Sequence, residues 1–362
     1  MQSIMAGMAT CFAQLWCPVN TVGTNADEHA RDSPARRDDA MPTRQSTAPR
    51  HDRMKAVRVH QFGAIDAMQM EEIERPVPAA GQVLVRVHAA GVGPWDAWVR
   101  AGLSKLGQPL PLTPGSDISG TVEAVGEDVN ELFPGDIVYG ATNPLFTGGY
   151  AEFAVAEAGM LALRPQRLSH VEAASIPVVA CTAWQLVHVH GEVDHSRRVL
   201  IHGAAGNVGA YAVQFAKLAG AFVIGTCRHA DTAVLEQLGV DVIVDVDAGR
   251  FEEAAENVDV VLDTVGGDTL ERSVEIVRPG GVIVSSVAPP DPGRTASKGI
   301  RGAFFYVSVD TANLTQIARL LDAGDIVSNV GDVLPLSQAR LAHAMLDGKP
   351  HKPGKIVLTI QP

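Results

Sequence analysis

Val199-Leu200-Ile201-His202-Gly203-Ala204-Ala205-Gly206-Asn207-Val208-Gly209 is an apolar run that ends abruptly in small residues, and an alanine-rich amphipathic pattern continues it through residues 210–220. Val208, Ala212, Phe215, Ala216 and Ala219 can share one helical face, so the stretch reads as strand, tight turn and helix. Gly206 brings no side chain between the backbone and a pyrophosphate, Gly209 lets the helix lie close on the strand, and the unpaired amides at the helix start can receive phosphate. The spacing Ala204-x-Gly206-x-x-Gly209 is a relaxed form of the dinucleotide fingerprint. A purely structural glycine turn would share it, and the βαβ setting favours the nucleotide.

On the C-terminal side the rhythm is strand then helix, with strands expected at 198–202, 221–226, 242–245, 258–263 and 281–287. Right-handed crossovers would make these a doubly wound parallel sheet with the ligand beyond the strand C-termini. On the N-terminal side the chain reads as short strands at 55–60, 83–89, 117–125, 136–139 and 150–156, separated by glycine and proline clusters, which indicates a compact β domain. A helix is expected from Thr311 and a last strand at 355–360 that returns to the β domain. The domain bounds are therefore 54–176 for the first part of the β unit, 177–310 for the nucleotide unit and 311–362 for the return.

The 362 residues, 46% hydrophobic, are enough for two cored domains. A formal charge of −12 opposes a broad phosphate-backbone footprint, so nucleic acid is not an expected partner. Cys11, Cys17, Cys181 and Cys227 are scattered with no CxxC pair, as befits free thiols in a reducing cytoplasm. Membrane spans are not expected. Residues 1–19 are moderately apolar without the pattern of a signal segment, residues 25–53 mix Asp, Arg, Pro, Ser and Thr without a hydrophobic period, and 1–53 together read as a disordered extension, with Met54 an alternative start.

Met54-Lys55-Ala56-Val57, the 82–88 strand with Ala89-Ala90-Gly91-Val92, Gly115-Ser116-Asp117 and Gly120 are followed in order by Gly135-Asp136-Ile137-Val138 and Ala183-Trp184. The glycine turn, Asp263-Thr264-Val265-Gly266-Gly267, Pro279-Gly280-Gly281 and Gly354-Lys355-Ile356-Val357 complete the series. This ordered set resembles the medium-chain dehydrogenase/reductase superfamily across residues 54–362. Within it the chain is similar to the zinc-independent quinone oxidoreductase branch, with its zeta-crystallin-like enzymes.

The resemblance implies a GroES-like β-barrel catalytic domain, a Rossmann domain, a substrate cleft between them and a homodimer. It implies hydride transfer from nicotinamide to a quinone or an α,β-unsaturated carbonyl compound. A trans-acting enoyl reductase on a carrier-bound chain and a non-catalytic NADPH-binding protein are the alternatives. Zinc-dependent relatives carry Cys at the position of Gly93 and His at that of Ser116, and neither residue here holds zinc firmly, so no metal is expected. His188, His190, His195 and His202 read as surface or packing residues, the first two on different helix faces.

Cofactor contacts are expected from Ala204, Ala205, Gly206, Asn207, Val208 and Gly209. Cys227 stands where NAD enzymes place a ribose-binding carboxylate, and Arg228 beside it can pair with a 2′-phosphate, so NADPH is expected over NAD. Alternatively Arg228 is solvated and Asp231 serves the ribose. By resemblance Thr182, Val265, Val287 and Ala288 lie near the nicotinamide. Better-known quinone reductases resemble Gly-Val-Asn-x-x-Asp with a Tyr two residues on; here Gly93 and Trp98 replace that Asn and Tyr. Trp95, Trp98, Phe146, Phe304, Phe305 and Tyr306 match positions around the cleft and would wall a pocket for an apolar or aromatic carbonyl substrate, or else pack between domains. Trp98 and Tyr306 are the candidate donors. Asp96 and Asp117 read as turn caps or scaffold, and Lys355 as an anchor of the last strand.

Overall fold

The computed structural model describes residues 53–360. The expected extension thus lies outside the described residues, save Arg53, which begins the first strand.

The β unit is organised around one long strand. β1 (Arg53–Val59) pairs antiparallel with β2 (Met68–Glu74). β3 (Gln82–Val92) then leads into a short helix, α1 (Pro94–Ala101), and β4 (Asp117–Val125), β5 (Ile137–Ala141), β6 (Phe153–Glu157) and β7 (Leu161–Leu163) follow. β3 takes both β4 and β6 as antiparallel neighbours, which is why Val83, Val85 and Val87 are fully buried. The strand expected at 150–156 starts later, at Phe153. Tyr150 and Glu152 are engaged instead by β1, where Val57 N donates to Tyr150 O and Glu152 N donates to Lys55 O.

α2 (His170–Ala174) and α3 (Pro177–Trp184) join the units, and α3 widens into a π turn at Gln185–His190. β8 (Arg198–His202), α4 (Asn207–Leu218) and β9 (Phe222–Cys227) come next, followed by α5 (Thr232–Gln237), β10 (Val242–Asp245) and α6 (Phe251–Ala254). β11 (Val258–Asp263), α7 (Gly267–Ser273), β12 (Val277–Ser285), α8 (Pro292–Ser297) and β13 (Arg301–Phe304) complete a parallel sheet. Its order is β10-β9-β8-β11-β12-β13, so the winding reverses between β8 and β11, the place where doubly wound sheets bind ligands beyond the strand ends.

β12 ends two residues before the expected limit. Val287 N and Ala288 N turn back to donate to Ser285 Oγ at 3.1 and 3.2 Å, which takes both out of the ladder.

α9 (Thr311–Ala323) carries the chain back, held to the barrel by Tyr139 Oη donating to Leu314 O at 2.6 Å and Thr311 Oγ1 donating to Leu161 O at 2.7 Å. β14 (Val330–Pro335), α10 (Ala339–Leu346) and β15 (Lys355–Thr359) follow, and β15 pairs antiparallel with β3. The chain's last described strand thus lies beside the strand that leads into α1. No helix among the described residues is long and apolar enough to cross a membrane.

Candidate active site

The glycine turn sits at the reversal point. β8 ends at His202, whose carbonyl accepts from Thr264 Oγ1 at 2.7 Å, so the turn after β8 is bonded to the loop after β11. His202 itself is buried between Thr226 Oγ1 and Ser273 Oγ, and burial pulls its pKa down to about 3, so the ring is neutral. Gly206 is the N-cap of α4 and provides no side-chain cap. The first amides of that helix have no intrahelical acceptor, and Gly206, Asn207 and Val208 are not buried, so an anion can meet them. Gly209 is buried and packs on the turn. Ala204 is also buried, and its amide donates to Thr226 O at 2.9 Å; it shapes the turn and offers no free donor.

A buried carboxylate holds the two loops opposite. Asp263 Oδ1 accepts from Val265 N and Gly266 N at 3.1 and 3.0 Å, and its Oδ2 accepts from Ser285 Oγ at 2.7 Å. Ser285 Oγ in turn receives the Val287 and Ala288 amides, so one carboxyl–hydroxyl pair positions all three of the expected nicotinamide-side residues on these loops. Burial pushes the Asp263 carboxyl above the ordinary carboxylate range. This clamp was missed by the sequence reading. Asp263 alone left a signal, a carboxylate closing the apolar run Val260-Val261-Leu262.

At the end of β9 the Cys227 thiol is buried, and burial raises its pKa to about 11. Arg228 is exposed, with Nε 3.8 Å from Asp231 Oδ2. His229 donates its amide to Asp247 Oδ2 and brings Nδ1 within 2.8 Å of Asp245 Oδ2. Three carboxylates therefore crowd this corner, and Arg228 is their neighbour. Thr182 lies in α3, and its hydroxyl donates to Val178 O at 2.7 Å.

Across the crevice, α1 begins at Gly93. Asp96 Oδ2 accepts from Gly93 N at 2.8 Å and from Tyr150 Oη at 3.0 Å, while its Oδ1 is buried without a partner. Burial raises the Asp96 pKa to about 6 against the pull of Lys355. Lys355 Nζ meets Asp117 Oδ2 at 2.9 Å, and Asp117 Oδ1 accepts from Val178 N at 3.0 Å, which ties β15, β4 and α3 together.

The six aromatics do not form one wall. Trp95 packs edge-on against Trp98 and Phe146 at 6.0 and 5.9 Å between ring centres, and its indole N–H is buried with no acceptor. Phe304 pairs with Tyr306, which is 66% exposed, and Phe305 stacks on His190 at 4.4 Å as part of the core behind the Rossmann sheet. The reason is strand alternation around β13, which sends Phe304 and Phe305 opposite ways. His188 is likewise a packing residue, against Trp184 and Phe215.

The donor set does not suit zinc. Position 93 has no side-chain donor atom, Ser116 offers a buried hydroxyl, Asp117 is taken up by the Val178 amide and Lys355, and Asp96 keeps a single oxygen, Oδ1, without a partner. Among the described residues no three His, Cys, Asp or Glu side chains are grouped to hold a metal ion.

Residues 79–166 match the family described as alcohol dehydrogenase GroES-like domain, and residues 238–358 the one described as zinc-binding dehydrogenase. The chain is 33% identical over 325 residues to a quinone oxidoreductase of Sus scrofa, covering 85% of this chain and 98% of that one. It is 30% identical over 364 residues to the mitochondrial NAD(P)H oxidoreductase RTN4IP1 of Homo sapiens, covering 87% and 91%. The solved quinone oxidoreductase of Coxiella burnetii superposes with a TM-score of 0.79 at 31% identity, covering 85% of this chain and all of that one. With a GroES-like barrel, a Rossmann sheet and these relatives, the chain belongs to the medium-chain dehydrogenase/reductase family, in its quinone oxidoreductase branch.

Proposed function

We propose that this protein is a zinc-independent, NADPH-dependent reductase that transfers hydride to a quinone or an α,β-unsaturated carbonyl compound. The observation that carries the reading is the crevice at the β8/β11 reversal, where the open amides of α4 face the loops clamped by Asp263 and Ser285. Phosphate fits the helix end, and the clamped Val265, Val287 and Ala288 would hold the nicotinamide edge. Bound dinucleotide supplies the hydride; the chain orients it.

Arg228 favours the 2′-phosphate because its exposed guanidinium can leave Asp231 for a doubly charged partner, whereas Asp231, Asp245 and Asp247 without it would repel one. Trp95, Trp98 and Phe146 offer flat apolar surface for a quinone or enone. A dehydrogenase built on zinc needs donor atoms that position 93 lacks. A cytoplasmic homodimer is the setting in which we expect the enzyme to work, and sedimentation equilibrium would measure its mass in solution. The activity test is NADPH and NADH oxidation followed by absorbance with para-benzoquinone, cyclohexenone, hexenal and a crotonyl thioester as acceptors. Turnover with the first three and NADPH is expected. Tight NADPH binding with no oxidation by any of the four would overturn the proposal.

A further inference from the structure

Lys355 opens β15, and two glycines keep its path clear. A Cβ at Gly91 would stand 3.0 Å from Lys355 Cε, and one at Gly93 would stand 3.1 Å from Nζ. The lysine stem therefore lies along β3 and delivers its ammonium to the start of α1, the helix that carries Trp95 and Trp98. Among the described residues the ammonium hydrogen-bonds to Asp117 Oδ2 alone, and it has three donors. On the other side of Gly93, Asp96 holds the Gly93 amide with one oxygen and leaves the second buried and unpartnered. Spare donors and a spare acceptor beside a residue without a side chain make a niche for a polar group that the protein does not supply.

Resting on the reductase reading above, we propose that Lys355 donates a hydrogen bond to the substrate's carbonyl oxygen as negative charge develops there, and that Gly93 is small so that this oxygen can reach Nζ. When the β-carbon of an enone receives hydride, the alkene pair shifts to the α-carbon–carbonyl bond and the carbonyl pair moves onto oxygen. The ammonium faces that oxyanion. A solvent proton then adds to the α-carbon, the pair returns to the carbonyl, the dinucleotide is left oxidised and Lys355 keeps its protons. A fixed charge aimed at developing charge in a water-poor niche is an effective form of transition-state stabilisation.

The cofactor pyrophosphate is the other oxyanion that could meet this ammonium, and the two are separable. Gly93→Ala covers the flank of Nζ without breaking the Lys355–Asp117 pair, and position 93 has ordinary extended backbone that alanine accepts. It is expected to lower kcat with cyclohexenone by about tenfold and leave the NADPH dissociation constant within about twofold; Lys355→Met is expected to lower kcat by about a hundredfold or more. Weaker NADPH binding with kcat intact at saturating cofactor, in either variant, would place the ammonium on phosphate and overturn the proposal. If Lys355→Met does not fold, Gly93→Ala decides. Binding of para-nitrophenol to the oxidised-cofactor complex reads the niche without turnover: the wild type is expected to hold it as phenolate below its ordinary pKa, and Gly93→Ala to abolish that. Phenolate held equally well by Gly93→Ala would sink the Lys355 role, whereas phenolate stabilisation in an enzyme that reduces nothing would sink the reductase reading alone.

Discussion

Gly209 lies so close to Gly203 that a Cβ on the first would overlap the carbonyl oxygen of the second. The contact is between helix and strand across the turn, so neither backbone can give without moving the amides that face the crevice. Gly209→Ala is expected to destabilise the protein by about 1–3 kcal/mol, as overpacking does, and to weaken NADPH binding by at least about tenfold through the displaced helix start. Thermal melting with and without cofactor checks both. An unchanged NADPH titration in a folded variant would show that the turn does not hold the phosphate.

Arg228 carries the choice of cofactor. Loss of a charge-assisted hydrogen bond costs about 1.5–3 kcal/mol, so Arg228→Ala is expected to weaken NADPH binding by roughly ten- to a hundredfold and to leave NADH within about twofold. The corner would then present Asp231, Asp245 and Asp247 without a counter-charge close by, which deepens the discrimination. Fluorescence titration of both reduced cofactors measures it. Equal loss for the two would assign Arg228 to something other than the 2′-phosphate.

These two residues also mark how far the sequence could be read. β4, β8, β10 and β11 were legible to the residue because each is a short apolar run with turn residues at its ends. The glycine turn was legible because backbone geometry there excludes side chains. The end of β12 was not, since it depends on a hydroxyl, Ser285, capturing two amides beyond it. The division of the aromatics into Trp95, Trp98 and Phe146 on one side and Phe305 on the other depends on how α1 and β13 are brought to the crevice. Of the acidic residues at the Arg228 corner, Asp231 is local, but Asp245 and Asp247 come from β10 and its following loop, and the approach of Lys355 to Gly93 spans almost the whole folded chain. Local pattern carries the elements; long-range pairing carries the chemistry.

Ser285 joins both clamped loops, so its loss should be felt at the cofactor as well as in the fold. Ser285→Ala leaves the Val287 and Ala288 amides without their side-chain acceptor, and Asp263 Oδ2 keeps only the Gly266 amide at 3.1 Å. A cost of about 1–3 kcal/mol is expected from the unsatisfied buried groups, together with a several-fold weaker NADPH affinity. Ser285→Thr, which keeps the hydroxyl, should recover part of both. Denaturant unfolding and cofactor titration test this; a stability loss with wild-type affinity would confine the clamp to folding.

Asp96 gives the protein a pH signature. Its folded-state pKa of about 6 exceeds the ordinary value of 3.8 because burial disfavours the charge. Between those values the native state binds a proton that the unfolded chain has released, so this residue's contribution is most favourable below the unfolded pKa and is lost as pH rises through about 6. The groups that face it are Lys355 from β15, Asp117 from β4 and Tyr150 from the segment before β6; burial raises the Tyr150 phenol well above its ordinary value, so it stays neutral throughout. Asp96→Asn keeps an oxygen for the Gly93 amide and the Tyr150 hydroxyl and cannot ionise. It should flatten the stability profile between about pH 4 and about pH 7, removing a change on the order of 3 kcal/mol. Urea midpoints across that interval provide the measurement, and a variant with the same slope as the wild type would mean that Asp96 is ionised at both ends of it.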